Sequence, residues 1–320
     1  MPDRRRAEPI AIGMFAALLL AVPAIAGALD TPDLVSLATQ AIIYGLAAAS
    51  LDLLIGYTGL VSFGHIALFA IGAYTSAILV VSYGLPFAVG LLAAALLTGV
   101  AGVLIAIPAL RIKGHYLTLL TLALGEVIRL AIRGMESLTH GAAGFTGIPR
   151  PSVLGFTFRS GTELYYLLLA CVVLGVLFIA RLERSRFGRA FKAIRDGETA
   201  AEVCGVDTAA MKVLAFGLSA VFAGVAGGLY AHTMRFISPE FFSLSLTITL
   251  LAMVLIGGRG TVLGPVVGAV LLTVLPEWLR FVKDYYLIVF GLAIWACTMF
   301  LPQGLMGLAA SVVARVRRPA

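Results

Sequence analysis

Residues 181–212 read RLERSRFGRAFKAIRDGETAAEVCGVDTAAMK and form one long polar segment in a chain that is otherwise mostly apolar. This segment holds seven of the 23 Lys and Arg residues of the protein. About ten apolar stretches surround it, and nearly all of them reach the roughly 20 residues with which an α-helix crosses a bilayer. A charged segment between such helices lies in water, so we expect most of the visible chemistry in residues 181–212.

The composition is typical of a membrane protein. Hydrophobic residues make up 61% of the chain and charged residues only 12%, whereas roughly a quarter of the residues of a soluble domain are charged. We therefore predict an all-α, polytopic helix bundle that forms a single domain over residues 1–320. The net charge of +7 is concentrated in particular loops, as expected of residues that set membrane orientation, so we expect no nucleic-acid partner. Cys171, Cys204 and Cys297 lack paired spacing, and we assign them no metal site or disulfide.

The apolar stretches predict ten transmembrane helices, with eight as an alternative. Their predicted bounds are residues 10–29, 34–55, 65–83, 86–110, 116–132, 164–180, 213–234, 244–256, 262–281 and 285–301. The eighth stretch is short, and with the glycines that follow it we expect a broken or re-entrant element, which needs cover by protein or water.

The distribution of basic residues predicts cytoplasmic N- and C-termini. With ten crossings, sixteen of the 23 Lys and Arg lie inside, among them Arg111, Lys113, Arg259 and the seven of residues 181–212, as the positive-inside rule requires. The first apolar stretch ends near Ala24-Ile25-Ala26, which resembles a signal-peptidase site. At about 20 residues it is longer than a usual signal core, so we expect a retained helix, with cleavage as the alternative.

The longest predicted outer loop covers residues 133–163. It is rich in residues that stop helices and form turns, namely Gly141, Gly144, Gly147, Pro149 and Pro151. We expect turns to order it. The loop is either a plain connector or a docking surface for a soluble partner outside.

Two glycine-rich breaks share a pattern, LIGYTGLV at 54–61 and LIGGRGTV at 255–262, with five of eight positions identical. Paired broken helices in a transporter point to its substrate path, because they bare backbone N–H and C=O groups. Chance similarity is the alternative, and the location of both breaks on one predicted side argues against a simple inverted repeat. The candidate path residues are Gly56, Thr58, Gly59, Ser62, Gly64, His65, Tyr74, Thr75, Gly257, Gly258 and Gly260. Their alternative roles are structural: Ser and Thr hydroxyls bond the preceding helical turn, and a lone His65 packs in the interior.

Asp52, Glu126 and Arg129 lie inside apolar stretches, where each charge needs a partner or water. Glu126 and Arg129 are three residues apart on one helix face, and we expect them to pair. The alternative makes Asp52 or Glu126 a proton relay of a secondary carrier.

Within the polar segment, residues 181–195 are predicted to continue a helix, and a short second helix follows. Asp196 is a candidate cap, Glu198 suits the positive helix end, and Gly205 can take the left-handed conformation that stops a helix. Such a helix with small alanines is shaped to enter a groove of a cytosolic protein. The candidate coupling residues are Asp196, Glu198, Thr199, Ala200, Ala201, Glu202 and Gly205.

This coupling segment resembles that of the membrane subunits of ABC importers, in which Glu-Ala-Ala is followed by three residues and Gly. Thr199 stands here in place of the Glu, and Glu198 or Glu202 is expected to supply the ionic contact instead. Five further strings, GYTGLVSFGH (56–65), SLT with GIP (137–139, 147–149), RFGRA (186–190), AGVAGG (223–228) and IGGRGT (256–261), are similar to the second permease of branched-chain amino acid ABC importers. The resemblance covers residues 35–305.

The resemblance implies a permease subunit of a bacterial inner-membrane importer for branched-chain amino acids. It implies a second, homologous permease, two cytoplasmic ATP-binding subunits and an extracytoplasmic binding protein as partners. The chain contains no G-x-x-x-x-G-K-[ST] loop, so we expect it to bind no ATP and to be no enzyme itself. The same family includes permeases for urea and short amides, which remain alternative substrates. A proton-coupled carrier and a scaffold without transport are the alternatives outside the family.

Overall fold

The computed structural model describes residues 4–28, 30–31, 33–109, 115–153, 156–158, 160–278, 291–292, 295, 299 and 304–308. The helices in this part of the chain are α1 (Arg4–Ala28), α2 (Asp33–Asp52), α3 (His65–Val81), α4 (Phe87–Ala109), α5 (His115–Gly134), α6 (Glu136–Thr139), α7 (Gly161–Arg184), α8 (Arg186–Asp196), α9 (Glu198–Val203), α10 (Thr208–Met234), α11 (Leu244–Gly257) and α12 (Gly264–Trp278). The only strands among the described residues, Ser152–Val153 and Phe156–Thr157, form a two-residue antiparallel pair. The prediction of an all-helical bundle is confirmed at this level.

Four helical segments of the described residues are long and apolar enough to cross a membrane: Asp33–Thr58, Phe87–Pro108, Gly161–Arg184 and Thr208–Met234. Shorter apolar helices cover Met14–Ala28, His65–Val81, Leu244–Gly257 and Gly264–Glu277. The predicted count of about ten crossings stays a prediction. The predicted tenth span lies almost wholly outside the described residues, as do Arg111, Lys113 and Cys297.

Helix α10 lies at the centre of the bundle, against α2, α3 and α4. Its alanines and glycines let these helices approach closely, as is typical of membrane helices, whose association depends on packing of small residues. A Cβ atom at Gly224 would collide with the side chain of Thr98 on α4, and one at Gly72 on α3 would collide with the backbone of Gly224. Asp207 starts α10, and its side chain accepts a hydrogen bond of 2.9 Å from the N–H of Ala210.

Both glycine breaks fall at helix ends. Helix α2 continues into a π-helical turn, Leu53–Thr58, which ends at Gly59 with a φ of 75°. Helices α11 and α12 pack against each other, and residues 258–263 join them. The predicted eighth span is therefore a 14-residue helix followed by a turn and a second short helix.

The prediction that residues 181–195 continue one helix is wrong, because α7 ends at Arg184 and a separate helix, α8, begins at Arg186. Ser185 is extended, ends α7, and caps α8 by accepting hydrogen bonds from the N–H groups of Phe187 and Gly188. The predicted second helix is present as α9, but Asp196 does not cap it: Asp196 is the last residue of α8, and Gly197 precedes α9. Ser185 has a side chain suited to capping a helix, but the prediction followed the basic residues around it and missed this break.

The end of the bundle that carries α8 and α9 is called the coupling end below, and the opposite end, with residues 135–153 and 156–158, the loop end. The loop is ordered as predicted, and Gly141, Gly144 and Gly147 all have positive φ. Phe145 exchanges two backbone hydrogen bonds with Ile237 beyond the end of α10. The loop is therefore attached to the bundle.

Candidate functional site

Helix α9 is held on the start of α10 by its two carboxylates. The Glu198 carboxylate accepts a hydrogen bond from the ammonium of Lys212, whose side chain is largely buried. The Glu202 carboxylate accepts a hydrogen bond of 2.7 Å from the Thr208 hydroxyl. Both acidic residues predicted for ionic contact with a partner therefore bond within this chain, Glu198 as a half-buried and Glu202 as an exposed residue.

The outward surface of α9 combines small or apolar residues with one carboxylate. Thr199, Ala200, Glu202 and Val203 are exposed, and Val203 has 84% of its surface accessible, while Ala201 is buried against the bundle. Gly205 has a φ of 84°, so the left-handed stop predicted there is confirmed. The arrangement presents a short helix whose alanine and valine can enter a groove.

The two glycine breaks meet at the coupling end. Asp52 is buried, with 1% of the residue's surface exposed, and its carboxylate accepts a hydrogen bond from the backbone N–H of Gly260, at 3.0 and 2.9 Å to its two oxygens. A Cβ atom at Gly56 would collide with this carboxylate and with the nitrogen of Gly260. Close contact between the breaks therefore requires glycine at position 56.

Arg195 reaches the same place from the last turn of α8. Its Nη1 donates a hydrogen bond of 2.7 Å to the carbonyl oxygen of Gly56, and its Nε and Nη2 each lie 3.2 Å from Asp196 Oδ1. A cleft of about 390 Å³ opens here, lined by Ile55, Gly56, Gly59, Val61, Arg195 and Arg259. The cleft thus contains residues of both breaks and of the polar segment.

Polar path candidates near the first break make structural contacts. The Thr58 hydroxyl donates a hydrogen bond of 2.6 Å to the carbonyl of Leu54, which is the alternative role expected from sequence. His65 is buried, and its Nε2 lies 2.8 Å from Ser50 Oγ. Ser62 and Gly64 are buried as well, and a Cβ atom at Gly64 would collide with the carbonyl of Thr121 on α5.

The remaining path candidates lie elsewhere in the fold. Tyr74 is buried on α3, in edge contact with the ring of Phe242 at 6.1 Å between ring centres, and Thr75 beside it is half-buried. Gly257 and Gly258 are buried where α11 ends. Of the candidates, the structure brings together Gly56, Gly59 and Gly260 around Arg195, while Tyr74 and Thr75 belong to the interior of α3.

The predicted pair on α5 is confirmed: Arg129 Nε donates to Glu126 Oε2 at 3.0 Å. Arg129 Nη1 also lies 3.2 Å from Glu240, beyond the end of α10. Glu126 thus takes part in an ion-pair cluster that connects α5 with the loop end. The described residues contain no group of three or more His, Cys, Asp or Glu arranged to hold a metal ion.

Three residues of this site were not assigned from the sequence in the roles that the structure gives them. Arg195 was counted as one of several solvated cations, Lys212 as the end of the polar segment, and Asp52 as a buried charge without a known partner. A signal was present for Asp52, since a carboxylate in an apolar stretch needs a donor. Its donor, however, is a backbone N–H 208 residues away, which no local pattern reveals.

Comparison with known proteins gives a family match over most of the chain. Residues 34–298 match the family described as a permease component of branched-chain amino acid transport systems. The high-affinity branched-chain amino acid transport system permease protein LivM of Salmonella typhimurium is 35% identical over 295 residues, which cover 85% of this chain and 69% of that protein. The protein of the same name from Escherichia coli gives the same identity and coverage.

A more distant relative has a different substrate in its name. The autoinducer 2 import system permease protein LsrC of Salmonella paratyphi B is 31% identical over 170 residues, covering 51% of this chain and 46% of that protein. No solved structure matches this chain significantly.

Proposed function

Because this chain belongs to the permease family of branched-chain amino acid transport systems, we propose that it forms part of the membrane path of an ATP-driven importer for these amino acids. The family resemblance drawn from the sequence motifs is confirmed by the match. The chain is a helical, multi-pass membrane protein and a transport subunit.

The observation that carries the coupling proposal is the placement of α9. Glu198 and Glu202 fix the helix to α10, while Ala200 and Val203 on its outward surface have no cover in the described structure. A motor protein that grips α9 would therefore move α10 with it. We propose that α9 enters a groove of an ATP-binding partner and is the coupling helix of the importer.

The proposed partners are inferred from the family of this chain and from its sequence, which has no ATP-binding motif. Its sequence has no phosphate-binding loop of the Walker type, so ATP is bound and hydrolysed by two partner subunits and not by this chain. A second, homologous permease completes the path. An extracytoplasmic binding protein delivers the substrate, and the loop of residues 133–163 is its proposed docking surface.

The proposed orientation places the coupling end in the cytoplasm of a bacterium, with the bundle in the inner membrane. Seven basic residues in residues 181–212 favour this orientation under the positive-inside rule. Both chain termini are then cytoplasmic, as expected from the sequence.

The contacts of Asp52 and Glu126, the two candidate proton relays, argue against a proton-coupled carrier. Asp52 is engaged by the N–H of Gly260, and Glu126 is engaged by Arg129. Each of the two carboxylates therefore has a structural partner, as charged groups within a membrane protein require. Neither residue therefore needs a proton-relay role to explain its presence.

The test is transport by the purified assembly. The chain is isolated from its native membrane through an affinity tag, with its bound partners, and reconstituted into vesicles together with the binding protein. We expect uptake of radiolabelled leucine, isoleucine or valine that requires ATP, and no uptake of urea. Uptake that a proton gradient drives through this chain alone would overturn the proposal.

A further inference from the structure

Helix α8 presents two cations to the first glycine break. Lys192 and Arg195 are three residues apart and so share a face of the helix. The Lys192 ammonium lies 5.5 Å from the centre of the Tyr57 ring, and Arg195 bonds the carbonyl of Gly56. Phe191 and Ile194 anchor the same helix in the bundle, since both are buried. The contact between α8 and the π-helical turn is therefore specific and not merely a solvated basic surface.

The bond from Arg195 satisfies a group that the helix leaves open. The last carbonyl groups of a helix have no donor within the helix, and Gly56 lies in the final turn before Gly59. The negative end of the helix dipole favours a cation at this position, and a hydrogen bond from a charged donor is about twice as strong as a neutral one. Arg195 therefore stabilises the end of the first break.

The second break lies within reach of the same guanidinium. A Cβ atom at Gly260 would be 3.0 Å from the Gly56 oxygen and 3.1 Å from Arg195 Nη1. The carboxylate of Asp52 connects Gly260 to the end of α2 by its hydrogen bond. One arginine thus touches the meeting point of two breaks that are about 200 residues apart in sequence.

Arg195 is also next to the helix that we propose to be moved. Only Asp196 and Gly197 separate it from α9, so a displacement of α9 reaches the Gly56 carbonyl through two residues. The cleft of about 390 Å³ lies between the groups concerned, with Val61 and Arg259 also in its lining.

We propose that Arg195 is a positioning residue for transport: its guanidinium connects α9 to the meeting point of the glycine breaks, and the cleft there changes shape only when α9 moves. The inference rests on the proposed function, because it needs α9 to be driven by an ATP-binding partner. It assigns to one side chain the transmission from the coupling helix to the path.

The experiment compares three variants of the complete importer in vesicles. Arg195→Gln removes the charged donor, and Arg195→Lys keeps the charge. Arg189→Gln is the matched control, since Arg189 is an exposed arginine of the same helix whose guanidinium donates a hydrogen bond to the backbone carbonyl of Arg184 and not to the glycine breaks. Uptake and ATP hydrolysis are measured together, and the transported substrate per ATP is the readout.

We expect Arg195→Gln to hydrolyse ATP at a rate near that of the wild type while substrate transported per ATP falls by about tenfold or more, the factor expected for loss of a charged hydrogen bond. Arg195→Lys should recover part of the ratio, and Arg189→Gln should match the wild type. An unchanged ratio in Arg195→Gln overturns the inference. This holds even where uptake and hydrolysis fall together, because the ratio does not depend on how much of the importer has assembled.

A labelling measurement keeps the inference testable if Arg195→Gln assembles poorly. A single cysteine at Val61, which lines the cleft and is exposed, is introduced after the native cysteines are replaced by alanine. We expect its rate of reaction with a thiol reagent to depend on nucleotide when Arg195 is present, to depend on it less in Arg195→Lys, and not to depend on it in Arg195→Gln. Labelling that depends on nucleotide in both variants as strongly as with Arg195 overturns the inference. Failure of the proposed function is distinguishable, because the unmodified importer would then show no ATP-driven uptake at all.

Discussion

Replacing Gly205 by valine is a clean test of the coupling helix, because the cost comes from the backbone alone. Gly205 has a φ of 84°, and no heavy atom lies within 4 Å of the place where a Cβ would stand. A Cβ atom at this position therefore meets no neighbour. It meets only the steric conflict between Cβ and its own carbonyl, which costs an L-residue roughly 1–2 kcal/mol in the left-handed conformation.

This free energy lowers the affinity of the ATP-binding partner if the partner recognises α9 with the left-handed conformation at Gly205. A cost of about 1–2 kcal/mol corresponds to roughly 5- to 30-fold in an equilibrium constant. We expect Gly205→Asn to weaken binding of the ATP-binding partner least and Gly205→Val to weaken it most, with Gly205→Ala between them. Asparagine tolerates the left-handed region best, whereas a β-branched residue is a strong outlier there.

The matched control is Gly197→Ala at the other end of α9. Gly197 has a φ of 173°, which is extended backbone that alanine also adopts, and a Cβ there would make an ordinary contact with Ala200 at 3.6 Å. The assay is the dissociation constant of the ATP-binding partner for each purified variant in nanodiscs, with ATP-driven uptake in parallel. Equal affinity of Gly205→Val and wild type, or an equal loss in Gly197→Ala, would refute the reasoning.

Three further substitutions test the remaining contacts of the coupling end. Gly56→Ala forces a Cβ into the Asp52 carboxylate and the Gly260 nitrogen and should lower the free energy of unfolding by about 1–3 kcal/mol, as overpacking does, measured as thermal unfolding in detergent. Asp52→Asn keeps an acceptor for the Gly260 N–H but removes the charge; we expect ATP-driven uptake to persist and the melting temperature to fall. Glu198→Gln takes the counter-charge from the largely buried Lys212 and should loosen α9 by about 1 kcal/mol, seen as roughly fivefold faster amide exchange in α9.

Each of these has its own control or contrary result. Gly27→Ala is the control for Gly56→Ala, because nothing lies within 4 Å of a Cβ at Gly27 on α1, and it should not destabilise the protein. Complete loss of uptake in a well-folded Asp52→Asn protein would revive the proton-relay hypothesis. For Glu198→Gln, amide exchange in α9 that matches the wild type would show that the ion pair does not hold the helix.

Much of the coupling segment could be predicted from its own residues. A glycine after a short run of helix-forming residues predicts the left-handed stop at Gly205, and the structure has it. The helix bounds were less accurate, because Ser185 and Gly197 compete locally with neighbouring capping residues. Ser185 divides what basic character alone suggested as one helix, and Gly197 rather than Asp196 precedes α9.

The candidate path was predicted less completely, for a physical reason. The glycine patterns locate both breaks, and the local hydroxyl contact of Thr58 follows from helix geometry. The meeting of the breaks depends on how α2 packs against α11 and α12, and such packing is set by surfaces far apart in sequence. The contacts of Asp52 with Gly260 and of Arg195 with Gly56 therefore needed the folded chain.

The most direct test of the coupling proposal is site-specific cross-linking from α9. A photoreactive residue is placed at Ala200 or Val203, both exposed on the outer surface of the helix, and as a control at Leu138, which is exposed at the loop end. We expect Ala200 and Val203 to cross-link to the ATP-binding subunit in intact cells and Leu138 not to do so. Cross-links from α9 only to lipid or to extracytoplasmic proteins would contradict the coupling proposal.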